Sequence, residues 1–283
     1  MLEMSPEEKF LFDLQGFLVV PGFLSAGEVA ALNDAVDSNH DRVIVDSNAN
    51  TGGSPNLAGT GKRMTMTGLL TLPQPSCRPL RDLLAHPKLA PYLNSMLGRG
   101  WKLDHSPQIF MAEEGAEGLI LHGHGNNVLH SPMEYRCVNG QMRCGMISLE
   151  FHLTPNDAGA GGFCAIPGSH KANFKVPQAV LRYEQHQELV VNPACDAGDL
   201  LIFNEATVHG TLPWKAKHER RALLYRYSPK WVHFAGGHFE TSTPDWVHDL
   251  TEAQRAVLEP AYVYNRPVIE DDGTVSRPRS DFQ

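Results

Sequence analysis

Two textures divide the chain. Over roughly the first hundred residues, apolar positions recur at helical spacing in short, well-punctuated stretches; from about residue 106 they come as brief apolar runs broken by glycine and proline. Ser5-Pro6-Glu7-Glu8 combines an N-cap, a proline at the first helical position and a capping-box glutamate, which predicts a short helix ending before Gly16. Phe17-Leu18-Val19-Val20 follows as a buried strand. A second capping box, Ser25 to Glu28, opens a helix in which Val29, Leu32 and Val36 share a face, so it should lie on the body of the protein. Helical segments follow near 79–85 and 88–97, the second stopped by Gly98. Residues 46–62 are rich in Gly, Asn and Ser without an apolar period, and such a long loop in a compact domain is often a lid or binding segment.

The second texture predicts strands at Gln108–Ala112, Leu119–Leu121, Met142–Leu153, Phe163–Ile166, Glu188–Val191, Leu200–Phe203 and Arg221–Tyr227. Many short strands with turn signals indicate a mainly β sandwich or barrel rather than alternating strand–helix units. The 142–153 run alternates at its end. Ile147, Leu149, Phe151 and Leu153 point one way and should pack against the helices, whereas Ser148, Glu150 and His152 point the other way and should line the lumen. The tail beyond Pro260 is proline-rich and charged, and reads as an extended or partly disordered strap. The division expected is one domain over 1–283: a core of about 100–231, an N-terminal helical and lid region at 1–99, and an extension at 232–283.

Composition narrows the function. Hydrophobic residues are 42% and charged residues 20% of the chain, which is ordinary for a globular protein. A formal net charge of -8 with scattered Lys and Arg argues against a nucleic-acid partner. Cys77, Cys137, Cys144, Cys164 and Cys195 form an odd set without a CxxC pair, which fits free thiols in a reducing compartment such as the cytoplasm. The N-terminus lacks a basic and apolar leader, and no run of about 18 apolar residues occurs, so no membrane segment is expected.

Fourteen histidines are present, and position must decide among them. His122 and His124 lie where a strand runs into a glycine-rich turn, and residues two apart on a strand face the same side. His209 follows the strand that begins at Gly198-Asp199, 87 residues after His122, and Arg220 stands eleven residues further on. Iron(II) oxygenases need a facial set of protein ligands with positions left open for a keto acid and dioxygen. The distal carboxylate of the keto acid then needs a fixed cation, for which an arginine fork is the best geometric match.

Those spacings, with Gln15–Leu24, Gly161–Lys171, Gly198–Gly210 and Arg220–Pro229, resemble the phytanoyl-CoA dioxygenase (PhyH) family over roughly residues 7–231. The resemblance implies a double-stranded β-helix (jelly-roll) core with helices packed outside, iron(II) and 2-oxoglutarate as cofactors, and a small organic molecule oxidised with dioxygen. Residue by residue, it implies that His122 and His209 are iron ligands, that Arg220 binds the keto acid, and that Thr211 places a hydroxyl near the cofactor carboxylate. The departure is at position 124, where the family's His-x-Asp carboxylate is replaced by His124. Either His124 completes a three-histidine site, or Glu150 serves as a surrogate carboxylate, or the iron site is weak. A filled third position disfavours halogenation, which relies on room for a halide. Keto-acid-independent chemistry on three histidines, and a non-catalytic binding protein, are the alternatives. His170 reads as a turn residue, Trp214 and Tyr225 as packing, and Arg221 and Arg226 as decoys for Arg220.

Overall fold

The computed structural model describes residues 4–46, 50–123, 133–235 and 244–278. Its elements run α1 (Pro6–Gln15), β1 (Phe17–Val20), α2 (Ala26–Asp37), β2 (Ile44–Val45), β3 (Arg63–Met66), α3 (Cys77–Asp82), α4 (Ala90–Leu97), β4 (Lys102–Ala112), β5 (Leu119–His122), β6 (Tyr135–Val138), β7 (Gln141–Cys144), β8 (Ile147–His152), β9 (Gly162–Ala165), α5 (Gln178–Leu181), β10 (Leu200–Asn204), β11 (His209–Leu212), β12 (Arg220–Ser228), α6 (Glu252–Leu258), β13 (Val268–Ile269) and β14 (Val275–Ser276). Both expected capping boxes form: Ser5 pairs with Glu8 and Ser25 with Glu28, and Gly16 closes α1 in the left-handed conformation.

Seven strands make the larger sheet, in the order β1-β10-β8-β12-β4-β3-β2, and β5-β11-β9 make a smaller one. The expected alternation of β8 holds. Ile147, Leu149, Phe151 and Leu153 join Leu32, Val36, Leu80, Leu84 and Leu93 in the core between the larger sheet and the helices. Its other face carries Ser148, Glu150 and His152 into the space between the sheets, where Phe17, Phe163, Leu201, Phe203 and Leu224 form a second apolar cluster.

Three expectations need correcting. Met142–Leu153 is two strands broken at Gly145-Met146: β7 pairs with β6 in a hairpin turned by Asn139 and Gly140, both at positive φ (53° and 74°), whereas β8 belongs to the larger sheet. Glu188–Val191 is not a strand: the chain makes a single 3-10 turn over Gln187–Leu189, and only Val191 pairs, by one bridge to Ala165 on the edge of β9 away from β11. The tail beyond Pro260 is no loose strap: β13 and β14 pair, and Arg266, 1% exposed, donates to the carbonyls of Gly100 and Ala256 at 2.7 and 3.0 Å.

Candidate active site at the barrel mouth

β5 ends at His122 and β11 begins at His209, and the antiparallel ladder sets these two residues directly opposite each other. Their ring centroids are 4.3 Å apart. His209 thus opens a strand of its own rather than trailing β10. The hydrogen bonds orient both rings alike: Nδ1 of His209 lies 2.7 Å from the Thr207 carbonyl, and Nδ1 of His122 lies 3.1 Å from the Ile120 carbonyl. With those protons donated, each Nε2 keeps a lone pair for a ligand, the usual way in which metal-binding histidines are fixed. Burial, reinforced by the neighbouring His122, pushes the His209 pKa down and favours the neutral ring.

Gly123 makes this approach possible. Its φ is +110°, and a Cβ there would lie 2.2 Å from the Thr207 carbonyl oxygen, so only glycine lets the end of β5 press against the turn between β10 and β11. His124 lies outside the described residues. Among those described, no three His, Cys, Asp or Glu side chains already stand as a complete metal set.

A cavity of about 710 Å³, its open mouth included, adjoins the histidine pair and is bordered by Thr211, Arg220, Glu150 and Arg226 as well as Phe110, Phe163 and Phe203. Arg220 is 5% exposed and donates through Nη2 to Glu150 at 2.5 Å, while its Nε is buried without a hydrogen-bond partner. Gly162 gives the guanidinium its room, since a Cβ at that position would lie 2.8 Å from Arg220 Nε. The Glu150 carboxylate is engaged by Arg220, with His152 Nε2 at 3.3 Å. Arg221 faces outward and ties β12 to α2 through Asn33 and Asp37. Tyr225 bonds the Leu80 carbonyl beneath the helices, and Trp214 bonds the His218 carbonyl while bordering the cavity. His170 does hold a turn, though its partner is the carbonyl of Asp13 at the end of α1.

Two charged lining residues, Arg63 and Glu117, escaped the sequence reading, as did Glu205, which stands beside His209. Glu205 sits in the turn that leads to His209, accepts from the Ser148 hydroxyl and from Arg226 Nε at 3.1 Å, and has its Oε2 3.7 Å from His209 Nε2. Burial alone would raise its pKa, but its surroundings, among them the Arg226 charge and the Ser148 hydrogen bond, overcome that and hold it low. The described part of the segment expected to be a lid bonds to the body of the protein. Gly118 bonds the Leu57 carbonyl, Ile120 bonds that of Asn50, and Ser54 bonds that of Arg182. No described residue between 50 and 62 lines the cavity; residues 47–49 lie outside the described set. Among the described residues no helix is long and apolar enough to cross a membrane.

Comparison with known proteins agrees with this geometry. The phytanoyl-CoA dioxygenase (PhyH) family model matches residues 12–222. The dioxygenase lolE1 of Epichloe uncinata is 28% identical over 197 residues, covering 64% of this chain and 63% of that protein, so less than two thirds of the relative is spanned. Among solved structures, HygX from Streptomyces hygroscopicus with nickel and 2-oxoglutarate bound superposes with a TM-score of 0.65 at 20% identity, covering 81% of this chain and 88% of HygX. SnoK, a non-heme alpha-ketoglutarate-dependent carbocyclase from nogalamycin biosynthesis, gives 0.60 at 16% identity, covering 85% and 91%. At these identities the structural likeness speaks for the fold.

Proposed function

The chain belongs to the phytanoyl-CoA dioxygenase (PhyH) family, and from that premise we propose that it is an iron(II)- and 2-oxoglutarate-dependent oxygenase that hydroxylates a small organic molecule. The observation that carries the reading is the histidine pair His122–His209, both Nε2 atoms left as acceptors, on the same cavity as Arg220 and Thr211. His122 and His209 would hold the metal, and Arg220 with Thr211 would receive the distal carboxylate of the keto acid. The donor set fits: imidazole nitrogens suit first-row divalent metals. The buried Nε of Arg220, without a hydrogen-bond partner, suits an incoming anion.

Iron(II) with 2-oxoglutarate, when bound, supplies the activation of dioxygen needed to oxidise an unactivated carbon. The protein's own part is to bind, orient and shield. Phe110, Phe163 and Phe203 keep water from the inner wall, and Phe203 packs on His209 with ring centroids 4.7 Å apart, limiting its rotation. Glu150 balances Arg220, so the site carries less excess charge before the keto acid arrives. A small-molecule substrate accords with HygX, which was solved with hygromycin B bound. A reducing compartment such as the cytoplasm accords with five free cysteines.

The test is calorimetric titration of 2-oxoglutarate, under anaerobic conditions, into the manganese-loaded protein. Arg220→Ala should weaken binding about 30-fold or more, because a buried charged hydrogen-bonding partner is lost. Arg220→Lys, which keeps the charge facing Glu150 but not the fork, should also weaken it. Unchanged affinity in both variants would remove Arg220 from the keto-acid site and make Arg226 the next candidate.

A further inference from the structure

The chain has histidine in place of a carboxylate two residues after His122, and a carboxylate that faces His209 comes from another part of the chain. Glu205 lies in the turn between β10 and β11, 7% exposed. Its Oε1 is fixed by the Ser148 hydroxyl and by Arg226 Nε, and its Oε2 lies 3.7 Å from Nε2 of His209. With Nδ1 of His209 donating to the Thr207 carbonyl, these are two lone-pair atoms facing each other, an arrangement that is repulsive unless a cation or a proton lies between them. The spacing suits a metal. Ligand atoms bonded at about 2.1 Å to one ion sit roughly 3 Å apart at a right angle, and further apart at wider angles. An anchored second oxygen is also how ligating carboxylates are commonly held.

The same turn is what Gly123 touches: a Cβ there would meet the Thr207 carbonyl oxygen at 2.2 Å and that of Glu205 at 3.0 Å. The backbone just after His122 therefore packs on the turn that carries Glu205. Balancing Arg226 does not by itself account for burying Glu205, because the Arg226 side chain is 23% exposed and water already reaches it.

We propose that Glu205 is the carboxylate ligand of the metal site, completing a set with His122 and His209 in which the acid comes from the β10–β11 turn instead of the strand end. This rests on the oxygenase reading of the site. It assigns His124 no required role in holding the ion.

The experiment is titration of cobalt(II), a spectroscopically visible stand-in for iron(II), into the full-length protein and into Glu205→Gln, His124→Ala and His209→Ala, each checked for folding by far-ultraviolet circular dichroism. Glu205→Gln should bind about 100-fold more weakly or worse and lose the visible absorption bands of the wild-type complex, whereas His124→Ala should bind as the wild type does. If Glu205→Gln retains wild-type affinity while His209→Ala loses it, Glu205 is not a ligand and the oxygenase reading stands. If His209→Ala also binds normally, that reading fails with it. Should Glu205→Gln not fold, a crystal of the wild-type protein soaked with manganese(II) decides: a Glu205 oxygen on the ion supports the assignment, and an ion held without it overturns the assignment.

Discussion

An imidazole serves as a metal ligand only while its free nitrogen keeps a lone pair, and here backbone carbonyls, from Ile120 and Thr207, hold the opposite protons of His122 and His209. Their spacing in the chain is enough to nominate both, because an acceptor pair brought across two strand ends has few other uses. Glu205 is harder to read. It stands in an irregular turn with no period, and only the fold shows that the turn doubles back on the end of β5. Arg63 is similar, its strand being only Arg63–Met66 and far from the barrel sequence it joins. A histidine outside the proposed metal site carries the pH dependence. His170 is fully buried among Asp13, Lys171 and Tyr135, and burial, with the charge of Lys171, lowers its pKa from 6.5 to about 4. The unfolded chain therefore takes up a proton that the folded one refuses. Stability should fall as pH drops from about 6.5 towards about 4, by an amount approaching 3 kcal/mol, and this group should add no further loss below that window. His170→Gln should flatten this part of the profile when urea unfolding is measured at pH 7 and pH 4.5; an unchanged pH dependence would show that His170 charges equally in both states.

At the scale of elements, local chemistry was legible wherever it was self-sufficient. Ser5-to-Glu8 and Ser25-to-Glu28 specify helix starts through bonds within four residues, and both form. The alternation in β8 likewise carries its own orientation. The break at Gly145-Met146 had no such signature, because β7 and β8 differ in the sheet they join and not in composition. Glu188–Val191 has strand-like composition, but its first residues close a 3-10 turn and only Val191 reaches β9, as a single bridge to Ala165. Glycines can be ranked on the same grounds. Gly123 and Gly140 both have positive φ, at +110° and +74°, but only Gly123 faces a carbonyl at 2.2 Å, with nothing within 4 Å of a Cβ at Gly140. Gly140→Ala should cost about 1 kcal/mol and Gly123→Ala clearly more, about 2–3 kcal/mol, in denaturant unfolding. Equal costs would mean that the end of β5 is free to withdraw from the turn.

For the whole molecule, the two sheets set the chemistry: the larger supplies Arg220, Glu150 and Arg226, and the smaller supplies His122, His209 and Thr211, so the cavity exists only where they face each other. A sandwich or barrel was foreseeable from the strand pattern, whereas the sheet that carries each residue and the packed C-terminal segment were not. Its burial turns on Arg266 reaching carbonyls at Gly100 and Ala256, contacts far apart in the chain and without a local signature. We propose that residues 1–283 fold as one unit on this account, with the helices and the C-terminal hairpin closing the outer face. The central claim is that this cavity turns over 2-oxoglutarate with iron and dioxygen. The direct measurement is succinate released from 2-oxoglutarate, without added substrate, by anaerobically prepared wild-type protein and His209→Ala, each supplied with iron(II) and then air. The account expects succinate from the wild type that depends on iron and oxygen, with His209→Ala no better than iron alone. Succinate from both proteins equally, or from neither, would contradict it.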